Sequence, residues 1–353
     1  MMNFSDRLTI GGKSLGLSEK PFVVAEVSAN HNNDLQRARE IVLAAAANGA
    51  DAVKFQTYTA DTITLDSSGP DFLIHDGLWK GQRLYDLYSQ GSLPWDWHQP
   101  LFELARSVGL SVISTPFDET AVDFLVGLGV DALKIASFEL THIPLIRKVA
   151  GAGLPVIIST GMGTAAEIEE AVSAVDGISK DLILLHCVSS YPAEPKDYSL
   201  KNLVNLRDRH GCLVGLSDHC VENRAAAASV LYDSVFIEKH FTLDRSGGGL
   251  DDSFSLEPSG LAELRAAVDE MFYAARHVSE VGESEKDNVS LRRSIYVSKP
   301  VRSGEVLTAE NIRVVRPGFG MHPRHYDEVI GRRAVNDLEF ASPLNRGDVD
   351  WSS

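Results

Sequence analysis

Cysteine is scarce in this 353-residue chain: there are three, Cys187, Cys212 and Cys220, an odd number. So few thiols exclude a disulfide-stapled secreted scaffold and fit a reducing compartment. Long apolar runs are missing as well. No stretch approaches the roughly 18 residues of a membrane span, and the opening MMNFSDRLTIGGKSLG lacks the apolar core of a signal peptide. Basic residues are under-represented, with 33 Lys plus Arg against 49 Asp plus Glu and a net charge of −16. That balance excludes duplex nucleic acid and anionic membrane surfaces as partners. Taken alone, it also argues against anionic small substrates. The expectation is a cytoplasmic globular protein of about two domains, with 44% apolar residues available for its core.

Against these absences stands a regular alternation. Eight short apolar runs recur along the first 241 residues: Phe22–Ser28, Ala52–Gln56, Ser111–Pro116, Ala132–Ser137, Pro155–Thr160, Leu182–Val188, Leu213–Asp218 and Val235–Phe241. Near-continuous β-branched runs suit parallel strands buried on both faces. Helical periods fall between and after them, at Asp34–Asn48, Thr164–Val175, Glu222–Leu231 and Ser259–Ala275. Thr164 with Glu167 three residues on reads as a capping box. Eight such units over this length predict an α/β fold, a (β/α)8 TIM barrel. A doubly wound sheet would need a glycine-rich phosphate loop after the first strand, and AEVSANHNND has none.

Two segments break the pattern. Thr57–Pro94 is an excursion of about 38 residues between the second and third runs, long enough to be a functional lid or a satellite core. After Ala275 the texture turns polar. The expected boundaries are a barrel over 1–276, a linker over 277–290 and a small domain over 291–353, with strand-like SIYVSK and IRVVRP. From Lys286 onward 11 basic residues face 9 acidic ones, so the tail carries +2 and the remainder −18.

Catalysis in such barrels sits at the carboxyl ends of the strands, and polar residues collect there on every run. Glu26 and Ser28 share one face of the first, Lys54 and Gln56 of the second, Glu238 and His240 of the last. Thr115, Ser137, Glu139, Ser159, Ser189, Tyr191, Ser217 and His219 fall at or just beyond the other ends. An ionised Lys or Glu inside an apolar strand is costly unless paired or liganded. Lys54 and Lys134 with nearby hydroxyls suit a phosphate or a carboxylate, although an ion pair of Lys134 with Glu139 or Glu26 is the plainer reading. His219 and His240 end consecutive runs, and either share a metal or each cap a hydrogen-bond network. Asp218 and Glu238 flank them as candidate orienting groups.

At these positions the sequence resembles the sialic acid synthase family, enzymes that condense phosphoenolpyruvate with an N-acylated sugar aldehyde. The matching stretches are AEVSANHN, GADAVKFQTY, LKIASFEL, IISTGM, VSSYPA, VGLSDH and IEKHFTLD. RRSIYVSKPVRSGEVLTAENIRVVRPGFG resembles the small antifreeze-protein-like (SAF) domain that follows the barrel in that family. GLWKGQRLYDLY, PWDWH, FSLEP and RPGFGMHPRHY resemble its pseudaminic acid synthase branch, which acts on a 2,4-diacetamido-2,4,6-trideoxy-altrose. Legionaminic or N-acetylneuraminic acid synthases, which take manno-configured sugars, are the alternative, and a non-catalytic sugar-binding barrel is a further one.

The resemblance implies roles residue by residue. His219 and His240 match the metal ligands, for manganese with magnesium or cobalt as alternatives. Lys54 and Thr115 match the phosphoenolpyruvate carboxylate site; Lys134, Ser137, Ser159 and Ser217 match its phosphate site, beside Ser189. Glu26, Gln56, Glu139, Tyr191 and Asp251 match positions lining the sugar and metal-bound waters. Arg316 matches an arginine that the small domain inserts into a partner subunit, which implies a homodimer with exchanged C-terminal domains.

Overall fold

A computed structural model describes residues 4–276 and 282–352. The chain divides into two compact units, Met1–Arg276 and His277–Ser353. The linker expected at 277–290 lies partly outside the described residues. Its described part contains 3-10 turns at Glu283–Glu285 and Asp287–Leu291.

In the first unit, an antiparallel hairpin of β1 (Arg7–Ile10) and β2 (Lys13–Gly16) precedes the barrel. The barrel strands are β3 (Phe22–Glu26), β4 (Ala52–Thr57), β5 (Ser111–Pro116), β6 (Ala132–Ile135), β7 (Val156–Ser159), β8 (Leu182–Cys187), β9 (Leu213–Asp218) and β10 (Ser234–His240). They close as a parallel barrel, with β10 hydrogen-bonded to β3 on one side and β9 on the other. All eight fall on the expected runs. Several stop a residue or two early because the polar end of the run already turns, as at Ser137–Glu139, a 3-10 turn.

Side chains alternate between two cores. Those pointing outward, such as Val23, Val53, Val112, Leu133, Ile158, Leu184, Val214 and Ile237, pack against the surrounding helices. Those pointing inward near the strand starts, including Phe22, Val24, Ile113, Ile157, Ile183 and Phe236, pack with Leu8, Ile10 and Leu15 of the hairpin. The hairpin therefore plugs the amino-terminal end of the barrel with apolar side chains. That leaves the carboxyl end as the place where inward polar groups have room. Gly215 makes closure possible on β9, since a Cβ there would lie 2.4 Å from the Phe236 carbonyl oxygen.

The helix after β3, Leu35–Ala47, is capped by Asp34, which accepts from the Gln36 and Arg37 amides. Thr164 and Glu167 make the reciprocal capping box of Ala165–Val175. Pro258–Arg276 closes the ring, and Arg224–Ser229 is shorter than expected, passing into a 3-10 turn. Four further helices, Trp95–Ser107, Glu119–Gly127, Ile143–Ala150 and Lys201–His210, were not singled out by periodicity. Two of them hide their amphipathic stripe. Trp95–Ser107 carries Pro100 and buries His98, and Lys201–His210 buries only Leu203, Leu206 and His210.

The excursion after β4 holds short helices at Ala60–Ile63 and Leu84–Gly91 and a bridge between Leu73 and Arg83. It is a wall of the barrel mouth, not a satellite core. Only Leu87 and Gly91 of its longer helix are buried, while Ile63, Ile74, Trp79 and Leu84 face the mouth cavity. In the second unit, β11 (Ser294–Val297) pairs antiparallel with β12 (Ile312–Val315). Ile295, Val297, Val301, Leu307, Ile312 and Val329 belong to its separate core.

Candidate active site

Lys54 on β4 and Lys134 on β6 enter the barrel near its carboxyl end, 3% and 5% exposed. Lys54 pairs with Glu26 of β3, lies 3.5 Å from Glu238 Oε1 of β10, and donates to Thr115 Oγ1 at 3.3 Å. Lys134 Nζ lies 3.1 Å from the same Glu238 oxygen, to which Ser217 also donates at 3.3 Å. Sequence alone offered Glu139 or Glu26 as the partner of Lys134. The partner is Glu238, because closure of the barrel brings β10 to face β6. Isolated ions at this depth would each cost several kcal/mol, which the quartet offsets by mutual pairing.

The two carboxylates behave oppositely. Burial works to raise Glu238, but Lys134 and Lys54 outweigh it and hold the group down at about 2. Burial raises Glu26, and Lys54 only partly counters it. Lys54 is held above its ordinary value against burial by Glu238 and Glu26. The more readily Glu26 takes a proton, the more positive charge the lysine pair retains for an anion.

At the mouth, His219 just beyond β9 and His240 at the end of β10 have ring centroids 5.3 Å apart. His219 Nδ1 donates to the Val188 carbonyl at 2.8 Å, which fixes the tautomer and leaves Nε2 as the lone-pair nitrogen. His240 Nδ1 has no hydrogen-bond partner among the described residues and sits 3.6 Å from Asp251 Oδ2. Burial, then His219 and the lysines, push His240 well below its ordinary value, so its imidazole is neutral. His219 is raised against burial by its contact with Cys187. Two neighbouring imidazoles, one with an orphaned nitrogen, fit a divalent cation whose remaining positions go to water or substrate. Among the described residues, no group of three or more His, Cys, Asp or Glu is placed to hold a metal.

A polar chain links the histidines to the lysines. Asp251 accepts from the Ser28 hydroxyl, Gln56 Nε2 donates to Ser28 Oγ at 3.0 Å, and the Ser28 amide donates to Glu26 Oε1 at 2.9 Å. Ser28 has φ +45°, a left-handed conformation that non-glycine residues adopt at a cost of roughly 1–3 kcal/mol. Tyr191 packs over both histidines, with centroids 4.3 Å from His219 and 6.1 Å from His240. Glu139 is raised to about 7 by burial, with Lys134 opposing, and its Oε2 has no partner among the described residues.

These groups share one cavity of about 440 Å³, lined by Lys54, Gln56, Thr115, Lys134, Ser137, Glu139, Ser189, Tyr191, Ser217, His219, His240 and Asp251. Glu26 is fully buried and meets the cavity through Lys54. Ser159 is buried on β7 with a hydroxyl unpartnered among the described residues, and it lies outside the lining. Arg316 belongs to the second unit. Asp218 is not bonded to either histidine ring. It points out of the barrel to Lys239 at 2.9 Å and accepts from the Cys220 amide. Glu238 serves the lysines instead. Lys239 was overlooked, although period-2 alternation from Glu238 and His240 already puts it on the opposite face. Cys187 was overlooked too. It lines the cavity with Sγ 3.9 Å from His219 Nδ1, and its place at the end of β8 was the available signal.

Comparison with known proteins agrees with this geometry. The NeuB family pattern matches residues 41–280 and the SAF domain pattern matches residues 292–349. The chain belongs to the NeuB family. The pseudaminic acid synthase of Campylobacter jejuni is 38% identical over 336 residues, 94% of this chain and 97% of that one. An N,N'-diacetyllegionaminic acid synthase of Legionella pneumophila is 36% identical over 351 residues, 96% and 98% of the two chains. The crystal structure of an N-acetylneuraminic acid synthetase from Leptospira borgpetersenii, in complex with citrate, superposes with a TM-score of 0.73. It is 30% identical and covers 81% of this chain and 96% of that one. As a NeuB-family member the chain is an enzyme of the sugar acid synthase class. Among the described residues no helix is long and apolar enough to cross a membrane.

Proposed function

We propose that this chain is a pseudaminic acid synthase, condensing phosphoenolpyruvate with 2,4-diacetamido-2,4,6-trideoxy-altrose to give a nine-carbon 2-keto acid sugar and phosphate. The observation that carries the reading is the buried lysine pair beside the two-histidine mouth, within one cavity. Lys54 with Thr115 takes the carboxylate of phosphoenolpyruvate, and Lys134 with Ser137, Ser189 and Ser217 takes its phosphate. Ser159 has no part in this reading because it lies outside the lining.

A divalent cation on His219 and His240, manganese by the resemblance, supplies Lewis acidity toward the aldehyde oxygen when bound. Gln56, Tyr191 and Asp251 line the space left for the sugar. The C2–C3 π pair of phosphoenolpyruvate forms the new bond to the aldehyde carbon as the carbonyl π pair moves onto the aldehyde oxygen, which takes a proton from solvent. Water then adds at the electron-poor C2 and gives a proton to the Glu139 carboxylate. The bond from C2 to the bridging oxygen breaks, phosphate leaves with that oxygen, and the new C2 hydroxyl gives its proton to solvent and becomes the keto group. Glu139 is preferred to Glu26 as the base because Glu26 is paired with Lys54. Lys54 and Lys134 stay in place and offset charge as it shifts. A cytoplasmic site suits this substrate, and all three cysteines are buried thiols. The assembly in this reading is a homodimer in which Arg316 of one chain completes the site of the other.

The test is released phosphate, measured on altro- and manno-configured 2,4-diacetamido aldehydes, with Mn²⁺ and with chelator. Metal-dependent release, faster with the altro sugar, is expected. A manno preference would make the enzyme a legionaminic acid synthase. Bridging ¹⁸O found in the sugar acid instead of in phosphate would sink the C–O cleavage step.

A further inference from the structure

The two histidines at the mouth are held in place by different means. His240 ends β10 within the barrel ladder, in register with Glu26 of β3. His219 lies one residue beyond β9, past the last ladder pair of that strand, Asp218 with Lys239. Its placement comes instead from residues 188–198, the segment that follows β8. The His219 ring donates from Nδ1 to the Val188 carbonyl at 2.8 Å, and its carbonyl accepts from the Ala193 amide at 3.1 Å. Its own amide donates to the Tyr198 hydroxyl at 2.9 Å. The first two bonds use the backbone of the segment. The third depends on one side chain.

Tyr198 follows the 3-10 turn Pro195–Asp197, is 8% exposed, and packs in the outer core with its ring edge-on to His186. It lies outside the cavity lining. Besides the His219 amide, its hydroxyl meets the Asp218 carboxylate. That carboxylate is itself pinned, 2.9 Å from Lys239 Nζ and 2.9 Å from the Cys220 amide nitrogen, and Lys239 is 1% exposed. A buried hydroxyl engaged both as acceptor and as donor belongs to a network that fixes its neighbours. We infer that Tyr198 is a positioning residue for the metal-binding histidine, passing the placement of the buried Asp218–Lys239 pair on to the His219 backbone. The inference rests on the reading that His219 and His240 hold the divalent cation. With two imidazoles and no third side-chain ligand grouped with them among the described residues, affinity depends on how well the pair is placed beforehand. Groups that orient metal ligands without touching the metal are typically worth 10- to 100-fold in affinity.

The experiment titrates the full-length protein with Mn²⁺ alone and reads the free ion from its six-line electron paramagnetic resonance spectrum, so binding is measured without turnover. Tyr198→Phe removes the hydroxyl and keeps the ring, and melting in chelator checks that the variant is folded. Its Kd for Mn²⁺ is expected to rise roughly tenfold. Phosphate release should fall at limiting Mn²⁺ and return toward the wild-type rate at saturating Mn²⁺, with the KM of phosphoenolpyruvate unchanged. Asp218→Asn leaves the hydroxyl in place but weakens its anchor, and should raise the Kd in the same direction. A folded Tyr198→Phe protein that melts lower yet binds Mn²⁺ with the wild-type Kd overturns the inference, because the tyrosine would then serve the fold alone. That result leaves the two-histidine site intact. If His219→Ala binds Mn²⁺ as tightly as the wild type, the two-histidine reading fails and the inference fails with it.

Discussion

Lys134 illustrates how one side chain carries both stability and chemistry. It is 5% exposed, and Glu238 is its ion-pair partner at 3.1 Å. Replacing it with Met leaves Glu238 with Lys54 alone, at 3.5 Å, and breaking a buried pair costs about 3–5 kcal/mol. Lys134→Met should therefore lower the urea midpoint markedly, and Lys134→Met with Glu238→Gln should recover most of it. Neither should recover phosphate release, because the phosphate loses its cation. Full activity in the double variant would show that the lysine is structural only. Glu139 gives a second test at this scale. Its carboxyl is raised to about 7 by burial, so its ionised fraction grows as pH rises through neutrality. As the proton acceptor from water it should make kcat/KM climb with an inflection near 7 and level off above it. Glu139→Gln should lower the rate and abolish that inflection; an inflection that survives the substitution would assign it to another group.

The loops after the strands decide what the residues meet. Gly161, just past β7, donates its amide to Ser137 Oγ at 3.1 Å. A Cβ there would lie 2.2 Å from Ser189 Oγ and 2.7 Å from Ser137 Oγ, two cavity-lining hydroxyls assigned here to phosphate. Gly161→Ala should raise the KM for phosphoenolpyruvate at least tenfold while the melting temperature changes little, since both neighbours are short side chains that line a cavity and can turn into it. An unchanged KM would remove these hydroxyls from the phosphate site. A different device fixes the loop after β9. Lys239 is buried on the outer face of β10, where it pairs with Asp218 and donates to the Cys220 and Glu222 carbonyls. This clamp holds the backbone that follows His219, so Asp218 acts on the histidine through the chain and not through its ring. Alternation along β9 already turns Asp218 away from Ser217 and the barrel interior; what the sequence did not show is that its partner there is Lys239.

The whole molecule carries −16, but that total averages an acidic barrel with a slightly basic tail. Its net charge argued against an anionic substrate, whereas the placement of Lys54 and Lys134 favours one. At this scale the proposed domain exchange is the sharpest claim, and complementation checks it. Arg316→Ala and His219→Ala should each be inactive alone. Mixed under conditions that let subunits exchange, they should regain part of the wild-type activity, because one of the two sites in a mixed dimer is intact. Persistent inactivity with exchange demonstrated by differential labelling would show that Arg316 serves its own chain or none.

The eight apolar runs, the capping box at Thr164 and the polar strand ends were legible because they depend on local pattern: burial on both faces, periods of 2 and 3.6, and a cap three residues from its partner. Lys54, His219 and His240 were legible as candidates for the same reason, since charge within an apolar strand demands an explanation. The amino-terminal hairpin was not, because four-residue strands acquire meaning only when Leu8, Ile10 and Leu15 find the barrel floor. Nor was the role of the excursion, whose apolar residues look alike in sequence whether they form a core or a wall. The partner of Lys134 lies 104 positions away, and only barrel closure brings the two together. The sequence by itself determined which groups face inward; tertiary structure decided which of them meet, because contact across a closed barrel is set by strand order and register and not by distance along the chain.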